Sequence, residues 1–340
     1  MKKILLILFI LIPIKVYGIS ARSAILMDTD NNIILYEKNI NEVRSVASIS
    51  KIMTAILAIE SGKMDDVVTI GDEINKAYGS GIYIRKGEQL TLRDLVYGLM
   101  LRSGNDAALA IAHYVGGSVD EFVILMNKKA KEIGMKSTTF NNPSGLDEDK
   151  GNYSTAYDMA KLSSYAIKND EFKKITGTKK YKLKTNMNNY IWTNKNKMLT
   201  MYKYSTGGKT GYTEIAKRTL VSYASKDSTN LVVVTLNDGN DWNDHEYLFE
   251  YGFKNYQNYT LIKKGKINIY DDTFYKHYNL YVNNDYNYLF NKNVTNNVVF
   301  KYQLTKNRNI KNGDSVGRIL IYIGDKVVHS EPIYVNTRDK

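Results

Sequence analysis

From Ala21 onward the pattern of apolar and polar positions changes period several times. In "ARSAILMDTDNNIILYEKN" two β-type runs flank the turn residues "DTDNN", which predicts a hairpin. Val46, Ile49, Ile52, Met53, Ile56, Leu57 and Ile59 then recur at helical spacing, and Gly62 suits the stop. Two further helical stretches follow, "TLRDLVYGLMLRSGNDAALAIAHYVGG" and "SVDEFVILMNKKAKEIGM", with Thr91/Asp94 and Ser118/Glu121 as helix-start pairs and Gly134 as the closing residue. From Thr138 to Ser154 the chain is polar and turn-rich, a long structured loop before the helix "TAYDMAKLSSYAIKND". Strands return at "STGGKTGYT", "AKRTLVSYASK" and "TNLVVVTLND", and a helix around "DWNDHEYLFEYGFKNY" ends this part. Helices in the middle with strands from both ends predict an α+β fold whose sheet is assembled from distant segments.

Past about Leu261 only short β-type runs with Asn, Gly and Asp turns remain, which predicts a small all-β domain. Its tyrosines are read as half-buried strand residues rather than as a carbohydrate-binding surface. The expected division is a signal peptide over 1–18, a large α+β domain over 19–260 and the β domain over 261–340. The leader reading rests on "MKKILLILFILIPIKVYG", a charged start, a short apolar stretch and small residues near Gly18, with cleavage expected near Gly18 or Ala21. That apolar stretch falls short of the roughly 20 residues that span a bilayer.

Composition narrows the class. No cysteine occurs, so an exported chain must rely on its core, and thiolate metal sites are excluded. The net charge of +12 becomes +9 once Lys2, Lys3 and Lys15 leave with the signal peptide. Such a charge favours anionic wall polymers or a membrane surface as surroundings. Nucleic acid is not expected, because export and the lack of any basic, aromatic-interleaved motif oppose it. His113, His245, His277 and His329 are scattered without a His-Glu-x-x-His pattern, so neither metal nor other cofactor is expected.

One lysine, Lys51, stands in the apolar run "SVASISKIMTAILAIESG". Of the three serines before it, only Ser48 is three positions away and on its helix face. A neutral lysine amine beside a hydroxyl can take its proton and make it a nucleophile, provided something keeps the amine uncharged. The pair alone is weak as a motif, but two further elements accompany it: Ser103-Gly104-Asn105 in a turn between helices and Lys209-Thr210-Gly211 on a strand. A second Ser-x-Asn, Ser228-Thr229-Asn230, falls in an expected hairpin turn and is set aside.

In this order, on helix, loop and strand, the three motifs resemble those of the penicillin-recognising serine enzymes. More closely, "ASISKIMTA", "LMLRSGNDAALAIA", "FNNPSGLDE", "STAYDMAKL" and "GGKTGYT" are similar to the low-molecular-mass penicillin-binding proteins that act as serine-type D-alanyl-D-alanine carboxypeptidases. The terminal "IKNGDSVGRILIYIGDKVVHSEPIYV" resembles that family's small β domain. The resemblance implies a β-lactamase/transpeptidase-like domain, an antiparallel sheet with helices on both faces. It implies Ser48 as nucleophile, Lys51 as base, Ser103 as proton relay and Asn105 as the group that holds Lys51 and the substrate amide. Lys209 and Thr210 would bind a terminal carboxylate with help from Arg218, Gly211 would let the substrate strand approach, and the N–H groups of Ser48 and Tyr212 would hold the oxyanion. The implied partners are peptidoglycan stem peptides, and β-lactam antibiotics as covalent inhibitors.

One departure is Asn152, where the family often has histidine before the "STAYD" element; the Asn142–Leu146 segment is expected to shape the site floor. Two rivals are a serine β-lactamase, for which the loop offers Glu148 but no Glu-x-x-Leu-Asn arrangement, and a non-catalytic wall-binding scaffold, which intact motifs disfavour. The chain stops directly after a strand, "EPIYVNTRDK", so an exported protein released from the membrane or held by charge is expected.

Overall fold

The structure is a computed structural model and describes residues 18–147, 150–269, 274–294, 297–306 and 309–336. The signal-peptide reading of residues 1–17 and the Glu148 reading lie outside the described residues.

The first hairpin forms as its alternation predicts, β1 (Ser23–Asp28) antiparallel to β2 (Ile34–Lys38). Three later strands, β3 (Ser205–Thr213), β4 (Lys217–Lys226) and β5 (Thr229–Leu236), complete a five-stranded sheet in the order β2-β1-β5-β4-β3. All pairings are antiparallel, and β3 is an open edge. Asp227 and Ser228 both take positive φ in the β4–β5 turn, so the second Ser-x-Asn is a hairpin corner.

Alternate residues of the sheet serve two cores. Ile25, Met27, Val221, Tyr223, Val232 and Val234 pack under the main helical layer, whereas Ala24, Leu26, Ala224, Leu231 and Val233 pack against the closing helix through Leu248 and Phe249. The main layer contains α1 (Lys51–Glu60), α2 (Leu92–Arg102), α3 (Asn105–Gly116), α4 (Val119–Ile133), α5 (Ala156–Ile167) and α6 (Asp170–Gly177); after a short turn α7 (Met198–Met201), α8 (Asp241–Asn255) covers the other face. The start signals work as predicted. Thr91 and Asp94 form a reciprocal capping box, the Ser118 hydroxyl accepts from the Glu121 N–H, and Gly134 closes α4 at φ 81°.

Two features depart from the sequence pattern. The stretch before Lys51 is a 3-10 turn, Ala47–Ser50, rather than the first turn of an α-helix. In a 3-10 turn, positions three apart eclipse, which stacks Ser48 on Lys51 more directly than an α-turn does. The change to all-β structure comes at Tyr256, not Leu261, because α8 runs straight into the strand Tyr256–Ile262, which pairs with Tyr286–Asn291. A second five-stranded sheet follows, packed around Ile319, Ile321, Ile333 and Val335.

The long loop is locked against the 3-10 turn. Its Gly145 has φ +81° and approaches so closely that a Cβ there would lie 2.1 Å from the Ala47 carbonyl oxygen and 2.5 Å from Ser50 Oγ. Gly145→Ala is therefore expected to destabilise the protein by about 1–3 kcal/mol, through backbone strain and overpacking. Gly239 has nothing within 4 Å of a built Cβ, so Gly239→Ala is the control. Thermal melts of the two variants check this: equal midpoints would contradict the packing described.

Candidate active site

Two of the three sequence motifs sit at the ends of helical elements, and the third lies along an edge strand. Ser48 lies in the 3-10 turn and Lys51 opens α1. Ser103 is the left-handed residue, φ 65°, that ends α2, and Asn105 begins α3. Lys209, Thr210, Gly211 and Tyr212 occupy the edge strand β3. Left-handed backbone is uncommon for a residue with a Cβ, and Ala47, directly before Ser48, shares it at φ 49°. Strain thus flanks Ser48 and marks the second motif.

Lys51 has no solvent exposure. Its Nζ lies 3.0 Å from Ser48 Oγ, 2.7 Å from Asn105 Oδ1, and in short contact with the Ser144 carbonyl. These partners are all uncharged. The Asn105 amide is oriented by the Tyr78 carbonyl, which can only accept and takes Nδ2 at 2.6 Å. Its oxygen must then face Lys51. Burial drives the Lys51 pKa well below that of a free lysine, and repulsion from Lys209 and Lys195 lowers it further. A neutral amine has two N–H bonds and a lone pair. The two carbonyl-type oxygens of Asn105 and Ser144 can only accept, so they take the N–H bonds and the lone pair faces the Ser48 hydroxyl.

Lys209 is also buried, on the side of β3 that faces the helical layer, and donates to Ser103 Oγ at 3.0 Å and to the Thr210 carbonyl at 2.7 Å. Burial, then repulsion from Lys195, lowers its pKa to about 7. Gly211 brings β3 against the nucleophile turn: a Cβ there would sit 3.0 Å from the Ser48 nitrogen. A cleft of about 420 Å³ opens over these residues, lined by Ser48, Ser103, Thr210, Tyr212, Arg218 and Trp242 among others.

The eight residues Ser48, Lys51, Ser103, Asn105, Lys209, Thr210, Gly211 and Tyr212 converge on one place. Arg218 also lines the cleft, but its guanidinium is already engaged: Nε donates to Asp241 Oδ2 at 3.0 Å and Nη2 to Asp241 Oδ1. Asn152 is wholly buried and staples the loop, accepting from the N–H groups of Asn141 and Asn142 and donating to the Asn142 carbonyl. Asn142 in turn accepts from the Ser144 and Gly145 N–H groups, which fixes the carbonyl that Lys51 meets. Sequence reasoning missed the Ser144 and Tyr78 carbonyls, because a main-chain oxygen leaves no signature in residue type. It also missed Lys195, Asp241 and Trp242. Lys195 lies two residues after the Lys180–Lys184/Asn189–Thr193 hairpin, and Asp241 and Trp242 open α8.

The family model for D-alanyl-D-alanine carboxypeptidase matches residues 13–240, and the penicillin-binding protein 5 C-terminal domain model matches 256–340. The chain is 37% identical to D-alanyl-D-alanine carboxypeptidase DacF of Bacillus subtilis over 255 residues, 72% of this chain and 65% of that protein. It is 35% identical to DacC of Escherichia coli over 262 residues, 72% of this chain and 64% of that protein. The match thus spans just under two thirds of the length of these curated relatives. Among solved structures, penicillin binding protein 5 from Haemophilus influenzae superposes with a TM-score of 0.76 at 27% identity, covering 94% of this chain and 97% of that one. A D-alanyl-D-alanine carboxypeptidase from Mycobacterium tuberculosis gives a TM-score of 0.67 at 30% identity, over 70% of this chain and 92% of that one. With motifs, fold and family models in agreement, this chain belongs to the D-alanyl-D-alanine carboxypeptidase family.

Proposed function

We propose that the protein is a serine-type D-alanyl-D-alanine carboxypeptidase that trims the terminal D-alanine from peptidoglycan stem pentapeptides, and that β-lactams acylate its nucleophile. The carrying observation is the fully buried Lys51 amine, 3.0 Å from Ser48 Oγ, with only uncharged partners. In acylation, Ser48 Oγ attacks the carbonyl carbon between the two D-alanines and its proton passes to Lys51 Nζ. The oxyanion is held by the Ser48 and Tyr212 N–H groups. The C–N bond then breaks, the leaving amine takes a proton relayed through Ser103, and D-alanine departs. Water attacks the remaining ester carbonyl, Lys51 again accepts the proton, and the Ser48 oxygen regains one as the shortened peptide leaves.

Lys209, Thr210 and Arg218 bind the terminal carboxylate in this reading, and the open edge of β3 takes up the substrate backbone as an added strand. Asn105 orients Lys51 and reaches the substrate amide. The N-terminal sequence pattern supports export, and the basic charge supports retention at anionic wall polymers or the membrane surface. A high-salt wash of fractionated cells is expected to release the protein, and a salt-resistant membrane pool contradicts retention by charge.

Ser48→Ala is expected to abolish both D-alanine release and the penicillin adduct seen by mass spectrometry. Lys51→Met fills similar volume without a proton acceptor and should slow acylation roughly 10²–10⁴-fold while keeping the fold. D-alanine release by Ser48→Ala, or an unchanged rate in Lys51→Met, would contradict the assignment. Because Lys209 has a pKa of about 7, the free enzyme loses its carboxylate-binding cation as pH rises through that value. kcat/KM for a carboxylate-ended peptide should therefore fall through this range, whereas kcat, which reports the complex where the bound carboxylate holds the proton, falls only at higher pH. A pH–rate profile lacking this separation would count against a cationic Lys209 as the carboxylate ligand.

A further inference from the structure

We infer that Asp241 and Trp242 are positioning residues that fix Arg218 as the reader of the substrate's terminal carboxylate, and so make the cleft prefer acyl donors with a free carboxylate end. The inference rests on the carboxypeptidase reading above and deepens it.

The sheet register sets up the arrangement. Arg218 pairs with Tyr212 across β4 and β3, and Leu220 pairs with Thr210, so the side chains of Arg218, Tyr212 and Thr210 share one face of the sheet. Lys209 points to the opposite face. The face of Arg218 is the one that α8 covers, and α8 begins with Asp241 and Trp242.

Asp241 is built to hold a guanidinium rigidly. Its side chain is 4% exposed, against 42% for Arg218, so the acid is the fixed member of the pair and the base reaches into the cleft. Both carboxylate oxygens receive the Arg218 fork, and Oδ1 also accepts the main-chain N–H of Trp242 at 2.8 Å. The Trp242 ring lies against the guanidinium at 5.7 Å, which adds a cation–π contact. An arginine carries five N–H donors in a plane. With the Nε side given to Asp241 and one flat face against Trp242, the Nη1 side remains for a ligand in the cleft that Arg218 and Trp242 both line.

A second charge is needed there because Lys209 is a conditional one. It is 1% exposed, is bound to Ser103 and the Thr210 carbonyl, and has a pKa near 7, so much of it is neutral in the free enzyme above that pH. Arginine does not deprotonate in proteins, and its planar edge matches a carboxylate with two parallel hydrogen bonds. Burial raises the pKa of Asp241, and the pair with Arg218 pulls it back only in part, so the acid is held at a cost that the guanidinium reduces.

The test compares a stem peptide ending in D-alanyl-D-alanine with the same peptide amidated at its C-terminus. The variants are Asp241→Asn, Trp242→Ala, Trp242→Phe and Arg218→Ala in the full-length protein. Asp241→Asn and Trp242→Ala should each raise KM for the acid peptide about tenfold, in line with loss of one charge-assisted contact. They should leave kcat within about threefold and leave the amide peptide unaffected. Trp242→Phe should restore most of the preference, and Arg218→Ala combined with Asp241→Asn should be no worse than Arg218→Ala alone. An unchanged acid-over-amide preference in Trp242→Ala, or an equal loss for both peptides, overturns the inference. If Asp241→Asn does not fold, the two Trp242 variants decide. Wild-type protein that releases no D-alanine overturns the carboxypeptidase reading and this inference with it, whereas normal release with unaltered preference in the variants overturns the inference alone.

Discussion

A primary amine removed from water and surrounded by uncharged oxygens loses the hydration that stabilises its cation, and this constraint on Lys51 organises the whole site. The remaining oxygens must be placed so that a neutral amine is satisfied and its lone pair is aimed. Asn105 supplies one acceptor because the Tyr78 carbonyl fixes its amide, and the Ser144 carbonyl supplies the other because Asn142 and Asn152 wrap the loop that carries it. Lys209 and Lys195 add positive charge close by, which raises the cost of a proton on Lys51. The neutral amine is thereby favoured with no acid in hydrogen-bond contact; the charge of Asp106 acts the other way and is outweighed by burial and the two lysines.

The sheet distributes the work between its two faces. The side chain of Lys209 enters the helical layer beside Ser103, whereas those of Thr210 and Arg218 face the side closed by α8. One antiparallel pair thus places a buried lysine beside Ser103 and a partly exposed arginine at the mouth of the cleft. Because β3 is an edge strand and Gly211 has no Cβ, an extended peptide has room to lie along it next to Ser48. Backbone strain collects at the same place, at Ala47 and Ser103, where the surrounding packing holds two residues with a Cβ in left-handed geometry.

Much of this was legible from residue order. The period of the apolar positions located the hairpin, the helices and the late strands, and local rules located Thr91, Ser118 and Gly134 as caps. Three short motifs chose Ser48, Lys51, Ser103, Asn105 and Lys209 from a chain rich in serine and lysine. What stayed hidden was of three kinds. Main-chain acceptors such as Ser144 O are set by loop conformation and carry no residue signature. The α8 contribution depends on which face of the sheet a helix covers, and that follows from register rather than from Asp241 or Trp242 themselves. The 3-10 turn before Lys51 and the strand starting at Tyr256 are boundary effects, where tertiary contact overrides local pattern.

The central claim is that Lys51 rests unprotonated at neutral pH. Its most direct test is a titration of the lysine side chains by NMR in protein labelled with ¹³C at the lysine ε-carbon, with Lys51→Met used to assign the resonance. The Lys51 signal is expected to have the chemical shift of a neutral amine at pH 7.5 and to titrate far below the surface lysines. A Lys51 resonance that titrates with the surface lysines, near the ordinary value of 10.5, would contradict it.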